Sequence, residues 1–181
     1  FGGLTIGDMT SNVVTTTSDF TVSGDMVVGG STNSGESFTA TSGVVTFTGA
    51  PGLINNQTGT AVNFTLNSVT VPTGDHLNVE GGASEQYYIN GDLTVAGTGV
   101  FDGLNGGTSK IWFGGAAEQT ISLGSAATPM FVYDMTLNNA NGIKLTSTNT
   151  NIAEDQFDVA NILRLQNGDI DLNGNNIITF D

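Results

Sequence analysis

Hydrophobic and polar residues alternate over short stretches along the whole chain, and residues that favour turns separate one stretch from the next. Examples are TVSGDMVV, GVVTFTG, AVNFTLNSVTV, INGDLTVAG, QTISLG and NGDIDLNG. Alternation with a period of two is typical of half-buried β-strands, and Gly, Asn, Ser and Asp are favoured in turns. The pattern therefore predicts an all-β protein of many short strands joined by tight turns.

Internal repetition is a second signal in the sequence. Gly-Asp pairs precede short apolar stretches at Gly7-Asp8, Gly24-Asp25, Gly74-Asp75, Gly91-Asp92 and Gly168-Asp169. The first two pairs have the same spacing as the third and fourth, and the second set follows the first after about 67 residues. We therefore predict one domain over residues 1–181, with repeats of about 67 residues at about 7–73, 74–140 and 141–181, the last one partial.

Repeats at a fixed period are typical of solenoids, propellers and arrays, and the repeat length distinguishes among them. A unit of about 67 residues divides into three coils of roughly 22 residues, a size that suits stacked parallel strands. The predicted fold is a single-stranded parallel β-solenoid (β-helix) of about eight short coils, with a β-sandwich as the alternative. The predicted core is Val22, Val45, Phe47, Phe64, Leu66, Ile89, Leu93, Val95, Ile121, Leu137, Leu145, Ile170 and Leu172.

The segment AEDQFDVANILRLQ, residues 153–166, fits two structures. A helix would place Phe157, Ala160 and Leu163 on one face, and a strand would place Phe157, Val159, Leu163 and Leu165 on one side by alternation. The alignment of the repeats favours the strand.

The chain is strongly acidic, with 17 Asp and Glu against three Lys and Arg and a formal net charge of −14. Its basic residues are Lys110, Lys144 and Arg164. We expect no nucleic-acid partner, because phosphates are bound by clustered Lys and Arg. We expect no membrane insertion, since no apolar run reaches the ~20 residues of a spanning helix. The lack of cysteine excludes disulfides, thiolate metal sites and thiol nucleophiles.

The segment NGDIDLNGNN contains part of a calcium-binding loop. Asp169, Asp171 and Asn173 would supply oxygen ligands at alternate positions. The complete loop needs a bidentate Glu at its twelfth position, where Phe180 stands. The same residues fit a strand followed by a polar turn, because Asp side chains cap turn amides. The preferred interpretation is a protein without a cofactor, and calcium is the alternative.

An enzymatic function is not expected, and no catalytic residue is assigned. The single histidine, His76, stands in TGDHLNV without a nucleophile and an orienting acid beside it. Because solenoids also carry polysaccharide-degrading enzymes, a calcium-dependent polysaccharide lyase is kept as an alternative.

Two sequence features bear on glycans. In Tyr87-Tyr88 and Trp112-Phe113, adjacent rings point to opposite sides of a strand, so one ring of each pair is available on the outside to bind a sugar or to pack against another protein. Two sites also match the acceptor pattern for N-glycosylation, Asn56 and Asn63.

The second half of the chain carries an ordered series of motifs: Phe113-Gly114-Gly115, Gln119-Thr120-Ile121, Met135-Thr136-Leu137-Asn138-Asn139 and the stretch from Leu163 to Asn175. In this order the motifs resemble the repeats of large secreted β-solenoid surface proteins of Gram-negative bacteria that use type IX secretion. The resemblance holds from about Thr108 onward, and the first copy departs from it. It implies an extracellular adhesin, filament or stalk at the cell surface.

Both ends of the chain, FGGLTIGDMTSNVV and NNIITFD, are strand-like. Unpaired strands at the ends of a solenoid template association with further strands. We therefore expect an extracellular structural subunit of a bacterial surface filament or adhesin, which binds copies of itself end to end and has surface glycans as a second candidate partner. A glycan-binding adhesin domain is the first alternative. The predicted assembly residues are Phe1, Leu4, Ile6, Ile177, Ile178 and Phe180.

Overall fold

The computed structural model describes residues 2–6, 13–28, 37–55, 63–80, 86–104, 108–125, 130–147, 157–173 and 178–180. Its secondary structure consists of β-strands. Within these ranges no helix is long and apolar enough to cross a membrane.

The strands are short, except for two long ones near the end of the chain. In chain order they are β1 (Leu4–Ile6), β2 (Val13–Thr16), β3 (Phe20–Val22), β4 (Met26–Val28), β5 (Ser37–Ala40), β6 (Val44–Phe47), β7 (Gly52–Asn55), β8 (Asn63–Leu66), β9 (Ser68–Val71), β10 (His76–Val79), β11 (Gln86–Ile89), β12 (Leu93–Val95), β13 (Val100–Gly103), β14 (Lys110–Phe113), β15 (Gln119–Ser122), β16 (Met130–Asn138), β17 (Ile143–Thr146), β18 (Phe157–Asn167), β19 (Ile170–Asp171) and β20 (Ile178–Phe180).

Successive strands lie on three faces, and each face is a stack of parallel strands. Face 1 is β1, β4, β7, β10, β13, the first parts of β16 and β18, and β20. Face 2 is β2, β5, β8, β11, β14 and the second parts of β16 and β18. Face 3 is β3, β6, β9, β12, β15, β17 and β19. Faces 1 and 2 form one sheet, because β16 and β18 run through both.

The predicted parallel β-solenoid is confirmed, and the β-sandwich alternative is not. Among the described residues face 3 has seven strands, one per coil, so the number of coils differs slightly from the predicted eight. The sequence separation between paired residues on adjacent coils gives the length of a coil. It is smallest for Phe157↔Ile178 and among the largest for Asp102↔Phe131. Most pairs lie between these two extremes, so most coils are longer than the sequence analysis assumed, and fewer of them fit in the chain.

The structural repeat is one coil, and the spacing of the Gly-Asp pairs in the sequence does not measure the length of that coil. Met26 and Leu93 follow corresponding Gly-Asp pairs, but Met26 lies on face 1 and Leu93 on face 3. The spacing therefore links similar Gly-Asp corners that occupy different places around the coil.

The core is a column of inward side chains. Most of the predicted core residues are buried, from Val22 through Leu145. Ile170 is half-buried against this core, and Leu172 is 40% exposed, so the prediction for Leu172 is wrong. Leu172 follows β19, the last described strand of face 3, and no later strand among the described residues covers it.

The strand alternative is confirmed for residues 157–167, which form β18. Phe157 and Val159 are fully buried, as the alternation predicts. Farther along the same strand Leu163 is half-buried and Leu165 is 54% exposed. The first part of β18 is covered by β20, whereas the second part pairs only with β16 among the described strands.

Candidate functional site

Most of the described glycines of the Gly-Asp pairs lie where neighbouring coils come closest. A Cβ atom at Gly24 would overlap the carbonyl oxygen of Gly2, and one at Gly168 would overlap that of Asn139. Gly74 and Gly168 have φ angles of 82° and 90°, a region that L-residues with a side chain rarely adopt. Glycine at these corners thus serves the turns and the stacking of the coils.

Asp25, Asp75 and Asp92 of these pairs join one coil to the next. Oδ1 of Asp25 accepts a hydrogen bond from the amide of Gly52 at 2.8 Å, and Oδ1 of Asp92 accepts one from Thr120 at 2.8 Å. Oδ1 of Asp75 accepts one from Gly49 on the preceding coil at 2.8 Å. Each carboxylate satisfies a backbone amide of an adjacent coil.

The segment proposed as a calcium loop forms a local turn. Oδ1 of Asp171 accepts a hydrogen bond from the amide of Asn173 at 2.8 Å, and Asn173 has a φ angle of 53°. The side chains of Asp169, Asp171 and Asn173 are exposed. Among the residues that the structure describes, no three acidic or His side chains cluster closely enough to hold a metal ion. Calcium binding here, and the lyase alternative that depends on calcium, remain predictions.

The outer surface of face 2 carries the two outward aromatic rings. Tyr87 and Phe113 are buried, whereas Tyr88 and Trp112 point outward. The rings of Tyr88 and Trp112 stack, with centroids 5.7 Å apart and an interplanar angle of 30°. This stack follows from the register, because Tyr88 on β11 pairs with Trp112 on β14.

A concavity of about 300 Å³ lies beside this stack. Two outward rows of side chains cross it, one residue per coil. The first row runs Gln86, Lys110, Asp134, Ile162 and the second runs Tyr88, Trp112, Thr136, Arg164. All of these residues except Tyr88 line the concavity. The site therefore combines an aromatic surface with both basic and acidic groups.

Hydrogen bonds hold several of these side chains in place. The hydroxyl of Tyr88 donates to Oε1 of Gln86 at 2.5 Å, and Nδ2 of Asn161 donates to Oδ1 of Asp134 at 2.7 Å. Burial raises the pKa of the Tyr88 hydroxyl above its ordinary value, so it stays protonated and remains a donor. Nε1 of Trp112 is buried and has no hydrogen-bond partner among the described residues.

Two residues of the quoted surface-protein motifs form a buried amide network inside the corner between faces 2 and 3. Gln119 and Asn139 are only 2% and 0% exposed. Nε2 of Gln119 donates to the carbonyl of Gly91 at 2.6 Å, and Nδ2 of Asn139 donates to Oε1 of Gln119 at 3.0 Å. Nδ2 of Asn139 also donates to the carbonyl of Ala117 at 2.7 Å. These motif residues therefore connect three successive coils.

The predicted assembly residues divide into three groups. Leu4 is partly buried and lines a concavity of about 320 Å³ at the first coil, and Ile178 is partly buried. Ile6 is 4% exposed and belongs to the core, so its side chain is not available to a partner. Phe1, Ile177 and the side chain of Phe180 lie outside the described part of the chain.

Other large apolar side chains are exposed at the two ends, and none of them is among the assembly residues predicted from the sequence. In the described part of the chain, the large hydrophobic residues with the greatest exposure are Val13 (63%), Val14 (37%), Ile162 (39%), Leu165 (54%) and Leu172 (40%). All of them belong to the first or the last coils. Alternation alone did not reveal them, because it identifies the side of a strand and not its position along the stack.

The remaining sequence-based candidates are His76, Asn56 and Asn63. His76 Nε2 on face 1 is 4.0 Å from Asp102 Oδ2, too far for a hydrogen bond. Asn63 begins β8, and Asn56 lies outside the described residues, so glycosylation of both remains a prediction.

No protein family matches the chain, and no curated protein or solved structure matches it. The resemblance to secreted surface proteins therefore rests on the quoted motifs, and the fold rests on the structure.

Proposed function

We propose that the protein is an extracellular structural subunit of a bacterial surface filament or adhesin, and that copies associate head to tail through their terminal coils. The observation that carries this proposal is the position of the exposed apolar side chains. Val13 and Val14 lie on β2 in the first coil, and Ile162 and Leu165 lie on β18 in the last complete coil, on the same face.

The strand pairing supports a head-to-tail contact in particular. Among the described strands, β2 pairs only with β5, and the second part of β18 pairs only with β16. Each therefore presents an open edge of backbone N–H and C=O groups, which favours addition of another strand. Joining β18 of one copy to β2 of the next extends face 2, and a head-to-tail contact of this kind repeats without closing.

The junction has a consequence for face 1. There β20 already pairs with the first part of β18, at the level that β1 of the next copy would take. Only one of these strands can keep this place, so joining two copies displaces either β1 or β20. Each of them has three residues, and three backbone pairs are a small loss against a longer junction on face 2.

The two open ends can be blocked separately. Val14→Lys on the first coil and Leu165→Lys on the last coil should each stop growth, because each puts a charge on an inward apolar position, in register with the buried Phe38 and Leu137. We expect the unchanged protein to form species that grow with protein concentration in sedimentation velocity. Each variant alone should remain monomeric at the same concentrations. An equimolar mixture of the two variants should stop at a dimer, since each retains one intact end.

The matched control is Thr70→Lys, which adds the same charge on the outer side of β9 in the middle of face 3. It should assemble like the unchanged chain. Association that survives both end substitutions, or a single variant that forms dimers alone, contradicts the head-to-tail contact. Added salt should favour assembly, because it screens the repulsion between chains of net charge −14.

We propose glycan binding as a second function of the same protein, supported by the concavity beside Trp112. Aromatic surfaces flanked by a few polar groups are typical of small-ligand sites. The experiment is a glycan array with the unchanged protein and Trp112→Ala, and binding that Trp112→Ala loses supports this function. Phe131→Ala is the control, because Phe131 is a half-exposed outward aromatic residue on face 1. Equal binding by all three proteins contradicts a site at Trp112.

A further inference from the structure

We infer that the concavity on face 2 binds an acidic polysaccharide, with carboxylate groups on its sugars. This inference rests on the proposed glycan binding and names the chemical class of the glycan. Three observations carry it: the placement of the basic residues, the order of the side chains across the coils, and the single acidic residue among those that line the concavity.

The basic residues are placed unevenly. The chain has three Lys and Arg among 181 residues, and two of them, Lys110 and Arg164, line this one concavity. They are far apart in the sequence, and the stacking of β14, β16 and β18 brings them together. The third, Lys144, lies on β17 of face 3. On a chain of net charge −14, this concavity is therefore the place that suits an anion.

The order of side chains fits a sugar that carries an acid group. In the second outward row, Trp112 is followed by Thr136 on the next coil and by Arg164 on the one after. Adjacent strands are about 4.8 Å apart, so Arg164 lies roughly 10 Å along the surface from Trp112. A sugar ring can pack its C–H face on the indole while its chain extends across Thr136 toward the guanidinium. Arginine binds carboxylates through two parallel N–H donors.

The acidic residue limits how much negative charge the site accepts. Asp134 lies between Lys110 and Ile162 in the first row, so the site has one carboxylate against two cations. The remaining single positive charge suits a polymer with one carboxylate per sugar better than a densely sulfated one. Oδ1 of Asp134 is held by Asn161, and its second oxygen can accept a sugar hydroxyl.

The test compares polymers that differ only in charge. Polygalacturonate and its fully methyl-esterified form share one backbone, and esterification removes the carboxylate charge. We expect the unchanged protein to bind polygalacturonate at least roughly tenfold more tightly than the ester, the effect of losing a charge-assisted hydrogen bond. The double variant Lys110→Gln, Arg164→Gln should lose a similar factor for polygalacturonate and little for the ester.

Lys144→Glu serves as the control for the change in total charge, because it lowers the net charge by two, as the double variant does, and it should bind within about twofold of the unchanged protein. Thermal melts of each variant exclude loss of the fold. Equal binding of the acid and the ester overturns the acidic specificity but leaves glycan binding in place. Failure to bind any polymer overturns both. Tighter binding of dextran sulfate than of polygalacturonate overturns the assignment to carboxylates.

Discussion

Replacing Asn139 by leucine is expected to lower the free energy of unfolding by about 3 kcal/mol, as estimated from three lost hydrogen bonds in a buried corner. Asn139 is fully buried. Its Nδ2 donates to Oε1 of Gln119 and to the carbonyl of Ala117, and its Oδ1 accepts from the amide of Asn141 at 3.0 Å. Leucine fills a similar volume but leaves these groups without their partner.

The adjacent residue provides the control. Asn138 has the same side chain but is exposed, so Asn138→Leu should change stability by less than about 0.5 kcal/mol. Urea unfolding followed by the fluorescence of Trp112, the single tryptophan, reports on both variants from a neighbouring strand. If Asn139→Leu is as stable as Asn138→Leu, the amide network does not stabilise this corner.

Replacing Phe113 by alanine is expected to cost about 3–5 kcal/mol, the usual penalty for emptying a buried aromatic position. Phe113 is fully buried and lies at the end of β14 in the middle of the stack. The coil of Phe113 is covered on both sides, because β14 pairs with β11 and with β16, so the cavity cannot close by a shift of loose surface groups. Circular dichroism during urea unfolding measures the loss.

Its neighbour Trp112 should contribute less to stability and more to ligand binding. Trp112→Ala should cost much less stability than Phe113→Ala, because the indole is only partly buried. Trp112→Ala should also remove glycan binding, because Trp112 lines the concavity on face 2 and Phe113 does not. Two variants of equal stability would contradict the inward and outward assignment of these two residues.

The inward and outward sides of the strands were predictable from the sequence, because alternation is a local property. Val45, Phe64, Leu93 and Ile121 were assigned to the core from their neighbours alone, and all are buried. The length of the coil was not predictable in the same way. The spacing of the repeats suggested coils that are too short, because similar Gly-Asp corners occur on different faces and their spacing is not a multiple of the coil.

This also explains why the sequence predicted only part of the candidate site. The sequence indicated that one ring of each pair, Tyr87-Tyr88 and Trp112-Phe113, faces outward, but it did not say which one. The stacking of Tyr88 on Trp112 depends on the pairing of β11 with β14 one coil later. Placing Arg164 beside them requires the lengths of the next two coils as well, and these two coils are unequal. The exposed apolar side chains at the ends were not predicted for a related reason. The exposure of Val13 or Leu165 depends on which coils are terminal and not on the local pattern.

Electron microscopy of the purified chain tests the central claim, head-to-tail assembly of a solenoid, most directly. Seven coils at about 4.8 Å each give an axial repeat of about 34 Å per subunit. We predict unbranched filaments one solenoid wide, with that repeat, at high protein concentration and moderate salt, and their loss in Leu165→Lys. Single particles of one subunit length at every protein and salt concentration would contradict the account.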